Sequence, residues 1–184
     1  MQNYITHIKA LLAENKTTGE NHSEAMLHYS KMNIKRLERW LNKGELLDTT
    51  KETIKQIKQK QYWTIITEAW CGDAAHSIGF ISKMAALNPT IKLDWKLRDE
   101  NLDLIDSYLT NGGRSIPKLI VRNENGEDLF DWGPRPKHIQ EKYMGFKKDD
   151  LPYAAINIEL QKLYNKDKGV SIQTEISEKL RQYA

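Results

Sequence analysis

With a single cysteine, Cys71, among its 184 residues, the chain cannot build an intrachain disulfide framework, and it fits a reducing compartment where a thiol stays free. It lacks any uninterrupted apolar run long enough to cross a bilayer. The opening Met1-Gln2-Asn3-Tyr4 has no basic segment leading into an apolar signal core, so a cytoplasmic protein without membrane association is expected. An excess of one charge is also missing. Lys and Arg number 28 against 25 Asp and Glu, a formal charge of +3 that is too small and too dispersed for a nucleic-acid partner. The lysines of 51–60 alternate with Glu52, Ile54, Gln56 and Ile57 as on the wet face of a helix, and Lys147-Lys148 is cancelled by Asp149-Asp150. His7, His22, His28, His76 and His138 lack metal-ligand spacing, so neither a metal nor a cofactor is expected. Internal repeats and low-complexity tracts are absent.

What is present is ordinary for a globular chain: 39% hydrophobic and 29% charged residues, enough to bury one real core. The first third reads as helices. Ile5, Ile8, Leu11 and Leu12 share a face, and Ser23 is placed to cap a second helix carrying Leu27, Ile34, Leu37, Trp40 and Leu41, which Gly44 stops. Between them, 16–21 reads as a flexible connection. Thr49-Thr50-Lys51-Glu52 has capping-box spacing and opens a third helix.

At Gln61 the pattern changes. Tyr62 to Thr67 is β-branched and aromatic, nearly continuous in apolar character, and suits a central strand covered on both faces. Ala74, Ile78, Ile81 and Ala85 then recur at helical spacing, and Ile91 to Leu97 alternates with period two as a second strand. A short helix through Leu102, Ile105 and Leu109 ends at Asn111-Gly112-Gly113. Pro117 to Val121 forms a third strand, joined through Asn123-Glu124-Asn125-Gly126 to a fourth over 127–132, because Asn-Gly between extended runs is a strong hairpin signal. Gly133-Pro134-Arg135-Pro136 halts that strand, and the remainder is again helical.

Cys71 sits in Trp70-Cys71-Gly72-Asp73-Ala74, where the first strand pattern gives way to a helix pattern. A sulfur at a helix start meets unpaired N–H groups and the positive end of the helix dipole, both of which favour the thiolate. Partial exposure and a lowered pKa are therefore expected, with Asp73 opposing the thiolate from the first turn. His76, about 140° further round the helix, reads as a solvated or edge histidine. Arg135 is a candidate anion receptor near the cysteine.

This order of elements resembles the thioredoxin fold over 61–145. Trp70-Cys71-Gly72 matches the start of the thioredoxin Trp-Cys-Gly-Pro-Cys motif, and Arg114-Ser115-Ile116-Pro117 resembles the stretch carrying that family's cis-proline. The chain looks most like bacterial thioredoxin-like proteins with Asp in the motif and a Gly-Gly-Arg-Ser-Ile-Pro segment. Where dithiol members carry a proline and a resolving cysteine, this chain has Asp73 and Ala74. Where they carry a buried aspartate, it has Ile65.

The resemblance implies an α/β thioredoxin-like fold, a central mixed sheet flanked by helices, with an N-terminal helical extension (1–60), the core (61–145) and C-terminal helices (146–184) packing on it. It also implies Cys71 as the reacting residue, with Trp70, Gly72, Asp73, Ser115, Ile116 and a cis Pro117 around the substrate. Pro117 would leave the backbone of Ile116 free to pair with an extended segment. The expected function is a monothiol protein that forms mixed disulfides with a disulfide-containing protein or a low-molecular-weight thiol. The alternative is a redox-inactive module that binds a peptide or partner protein in the groove beside Pro117.

Overall fold

The computed structural model describes residues 1–183. Four strands, β1 (Gln61–Thr67), β2 (Ile91–Leu97), β3 (Lys118–Arg122) and β4 (Asp128–Trp132), form one mixed sheet in the order β2-β1-β3-β4. β1 runs parallel to β2 and antiparallel to β3, and β3 pairs antiparallel with β4. Trp63, Ile65 and Ile66 of β1 are fully buried, as a strand covered on both faces requires. At the edge, β2 exposes alternate residues. The hairpin turns where expected. Asn123 Oδ1 accepts the N–H groups of Asn125 and Glu127, and Gly126 supplies the positive φ.

Three helices, α1 (Gln2–Ala13), α2 (Glu24–Lys43) and α3 (Asp48–Gln56), precede the sheet; α4 (Gly72–Ala86) connects β1 to β2, and α5 (Leu102–Asp106) follows β2. α6 (Lys137–Lys148), α7 (Tyr153–Asp167) and α8 (Val170–Leu180) come after β4. Most of α4 is buried, because it is covered by the sheet on one side and by α2 and α8 on others. Its Ile78, Phe80, Ile81 and Met84 join Leu37, Ile54 and Ile57 in one core with β1 and β3. The C-terminal helices are tied in by polar contacts as well. Gln173 accepts from the Leu47 N–H at 2.8 Å and donates to the Glu45 carbonyl at 3.2 Å.

Several local expectations are corrected. The segment 16–21 is not a free connection, since Thr17 and Thr18 are buried and Thr18 Oγ1 accepts the Ala69 N–H at 2.9 Å. Ser23 occupies the cap position of α2 without a side-chain cap bond. α3 begins at Asp48, so Thr49 and Thr50 lie inside it; Thr50 is instead buried against Ser177, which donates to its hydroxyl at 3.2 Å. Leu47 takes the cap position, so the Thr49 hydroxyl that the capping box would use lies within the first turn of the helix. α5 stops at Asp106, and Leu109 is left exposed outside it.

Candidate functional site

β1 ends at Thr67, and the turn through Glu68, Ala69 and Trp70 delivers Cys71 as the residue capping α4. The turn is held from three sides. Cys71 N–H donates to the Glu68 carbonyl at 3.1 Å, Ala69 N–H donates to Thr18, and the Ala69 carbonyl accepts from Asn33 Nδ2 of α2 at 3.1 Å. Trp70 carries the Arg98 guanidinium over its ring at 4.9 Å.

The thiol is not partly exposed: Cys71 retains 8% of its accessible surface. Its Sγ donates to the carbonyl of Ile116 at 3.3 Å, a bond that requires the protonated form. Burial and the neighbouring Asp73 carboxylate push the thiol up to about 12, while the N–H groups of Ala74 and Asp73 and the Arg135 charge pull the other way. The helix terminus does favour the thiolate, but loss of water outweighs it. The same bond occupies the Ile116 carbonyl, half of the backbone expected to be free for an extended segment. The Ile116–Pro117 peptide is cis and Pro117 is buried behind it. Gly133 packs so closely there that a Cβ would lie 2.2 Å from the Pro117 carbonyl oxygen.

Asp73 is the first-turn acid of α4, and it is largely shielded from water. Arg135 grips it with two bonds, Nε to Oδ1 at 3.0 Å and Nη2 to Oδ2 at 2.7 Å, and Tyr164 of α7 donates its hydroxyl to Oδ1 at 2.8 Å. Burial pushes the Asp73 carboxyl up, and Arg135 and Tyr164 oppose that shift. Arg135 is therefore committed to an internal ion pair rather than free to receive an external anion. Its other contacts are Gln140 at 3.0 Å and the Tyr143 ring at 4.0 Å, both on α6.

His76 is neither solvated nor at an edge. It is buried, stacked on Tyr164 with ring centroids 4.5 Å apart. Trp40 Nε1–H donates to Nδ1 at 3.0 Å, which fixes the proton on Nε2 facing Gln161 Oε1 at 3.2 Å. Burial drives its pKa down to about 3. On the far side of Cys71, Glu68 is a second buried carboxyl, pushed up by burial. One oxygen accepts the Asp99 N–H at 2.9 Å, and the other has no partner among the described residues. Ile65, where dithiol relatives carry an aspartate, is fully buried in the sheet.

Above Cys71 lies a cavity of about 640 Å³. Trp70, Cys71, Gly72, Asp73, Ser115 and Ile116 line it, whereas Pro117 does not. Arg135, placed near the cysteine from the sequence, lines it too, but much of the remaining wall was not identified from the sequence: one face of α2 (Met26, Tyr29, Asn33, Arg36), with parts of α6 and α7. The three- and four-residue spacing along α2 is the signal that marks this second face. Nothing local marks α7, whose Tyr164 lies 91 residues from the Asp73 it contacts. Among the described residues, no three His, Cys, Asp or Glu side chains are grouped to hold a metal ion. No helix among them is long and apolar enough to cross a membrane.

A family profile described as Thioredoxin matches residues 19–151, well over half of the chain. The chain belongs to this thioredoxin family. The match begins within the segment that carries Thr17 and Thr18 and takes in α2, so the family relation extends beyond 61–145. A protein of unknown function from Pseudomonas aeruginosa has a similar crystal structure, with 18% identity, 96% of this chain and 92% of that chain covered, and a TM-score of 0.63. An HIV epitope scaffold is also similar, at 17% identity, 96% and 98% coverage, and a TM-score of 0.60. At these identities the likeness is one of fold. No curated protein matches the sequence.

Proposed function

We propose that this thioredoxin-family protein is a binding module in which Cys71 rests as a protonated thiol at the floor of the cavity. The observation that carries this reading is the sulfur itself, buried, donating to the Ile116 carbonyl and pushed up to about 12. A nucleophilic cysteine needs the opposite balance, with enough water or positive charge to hold the thiolate near neutral pH. The cavity above it has the size of a small-molecule site, with a mixed polar and apolar lining.

A second reading has its own support in the N–H groups of Asp73 and Ala74 and the Arg135 charge, all of which favour the thiolate. In that reading Cys71 gives up its proton and attacks a disulfide. One half of the disulfide becomes bonded to Sγ and the other leaves as a thiolate, and an external thiol later resolves the adduct. Ala74 offers only a methyl group where a resolving sulfur would stand.

Incubation of the native protein with oxidised glutathione at neutral pH, read by intact-mass spectrometry, separates the two. The binding reading expects no adduct at Cys71 beyond the rate of an unreactive buried thiol. Rapid formation of a mixed disulfide that is absent in Cys71→Ser would overturn it in favour of exchange chemistry.

A further inference from the structure

The cavity is electrostatically lopsided. Arg36, Arg98, Arg114, Arg135 and Lys147 line it, against the single carboxylate of Asp73. Three of these cations are answered: Arg135 by Asp73, Arg98 by Asp99 at 2.8 Å and Arg114 by Asp106 at 2.6 Å. Arg36 and Lys147 have no carboxylate within ion-pair distance among the described residues. Arg36 is also held in place. Its Nη1 donates to Asn33 Oδ1 at 2.9 Å, and Asn33 is anchored on the Ala69 carbonyl. The same nitrogen would lie 4.0 Å from a Cβ built on Gly72, so the guanidinium stands beside the first residue of α4. Burial and the nearby Arg39 push the Arg36 pKa down, as befits a half-buried cation without a counter-ion.

Around this charge the wall is soft and aromatic. Met26 and Tyr29 lie on the Arg36 face of α2, with Met32 beside them, and Met144 and Tyr153 face the same space from the C-terminal helices. Methionine adapts to irregular apolar shapes, and tyrosine offers a flat apolar face with a polar tip. A bare inorganic ion would leave most of 640 Å³ unfilled. A ligand that is apolar throughout would leave Arg36 without compensation.

We propose that the cavity takes a small organic anion, its acidic group seated between Arg36 and the first turn of α4 and its apolar body against Met26, Tyr29 and Met32. The inference rests on the binding reading above and names the class of ligand.

Fluorescence titration of the full-length protein tests it. The probes are anilinonaphthalene sulfonate, an apolar body bearing an anion, and phenylnaphthylamine, the same body without the sulfonate. The sulfonate is expected to bind saturably, one per chain. Arg36→Gln should weaken it by about tenfold, equivalent to about 1.4 kcal/mol. Lys92→Gln, on the exposed edge strand away from the cavity, should leave it unchanged. The neutral probe should bind more weakly and ignore Arg36→Gln. Should Arg36→Gln fail to fold, as judged by its thermal transition, Lys147→Gln should weaken the sulfonate in the same direction.

Equal binding of both probes, indifferent to Arg36 and Lys147, would overturn the anionic class and leave the binding reading standing. Displacement of the sulfonate by millimolar inorganic phosphate would overturn the apolar half of the proposal. Failure of both probes to bind saturably would overturn the proposal, whereas the binding reading stands or falls on the reactivity of Cys71.

Discussion

His76 illustrates how a single side chain sets the acid limit of this fold. In the folded chain its Nδ1 lone pair is used by Trp40 and its ring is stacked on Tyr164, so protonation is refused until about pH 3. In the unfolded chain the same imidazole titrates near 6.5. Above that value both states are neutral and the residue adds no pH dependence. As the pH falls from about 6.5 toward about 3, the unfolded state alone binds the proton, and stability drops by up to about 1.4 kcal/mol per pH unit. Between about pH 7.5 and about pH 5 the wild type should therefore lose about 2 kcal/mol through this residue. Urea unfolding at the two pH values, for wild type and His76→Gln, checks this. The variant should lose less over the interval, and an equal loss in both would show that His76 is not the group responsible.

The elements visible from sequence are those whose signals are local. The β-branched run of β1, the helical spacing of α4, the alternation of β2 and the Asn125-Gly126 turn each depend on neighbours within one element, and the structure contains all four. What sequence did not show depends on partners far along the chain. Arg135 reaches Asp73 across 62 residues, and Thr18 reaches Ala69 across 51. The junction of α7 and α8 belongs to this long-range class. Gly169 there has φ +78°, and a Cβ would meet the Phe80 ring of α4 at 2.3 Å. Gly169→Ala should cost about 2 to 4 kcal/mol, from backbone strain together with overpacking. Gly126→Ala, with φ +82° but nothing within 4 Å, should cost only about 1 kcal/mol. Thermal or urea unfolding of both variants compares them. Similar losses would mean that the C-terminal helices are not packed against α4 as described.

At the scale of the whole molecule, helices outside the strand and α4 frame determine the chemistry of the thiol. The strand-to-helix junction puts Cys71 at a terminus that favours a thiolate, and this was readable from Trp70-Cys71-Gly72. Its burial was not readable, because the cavity around it takes walls from α2, α6 and α7, which are brought together only in the folded chain. Asp73, Arg135 and Tyr164 then form one buried polar network above the helix start, and the acid in it works against ionisation of the sulfur. With its pKa pushed up to about 12, Cys71 keeps its proton at neutral pH. The rate of iodoacetamide alkylation of the native full-length protein as a function of pH measures this, with Cys71→Ser as the blank. A shift from 9.0 to about 12 removes about three decades of thiolate at neutral pH. Greater nucleophilicity of the more basic sulfur recovers about half of that on a logarithmic scale. The expected result is alkylation about 30-fold or more slower than a free thiol near pH 7, with the rate still rising above about pH 10. An inflection below about pH 8, with a rate at neutral pH at or above that of a free thiol, would contradict it and return Cys71 to the role of nucleophile.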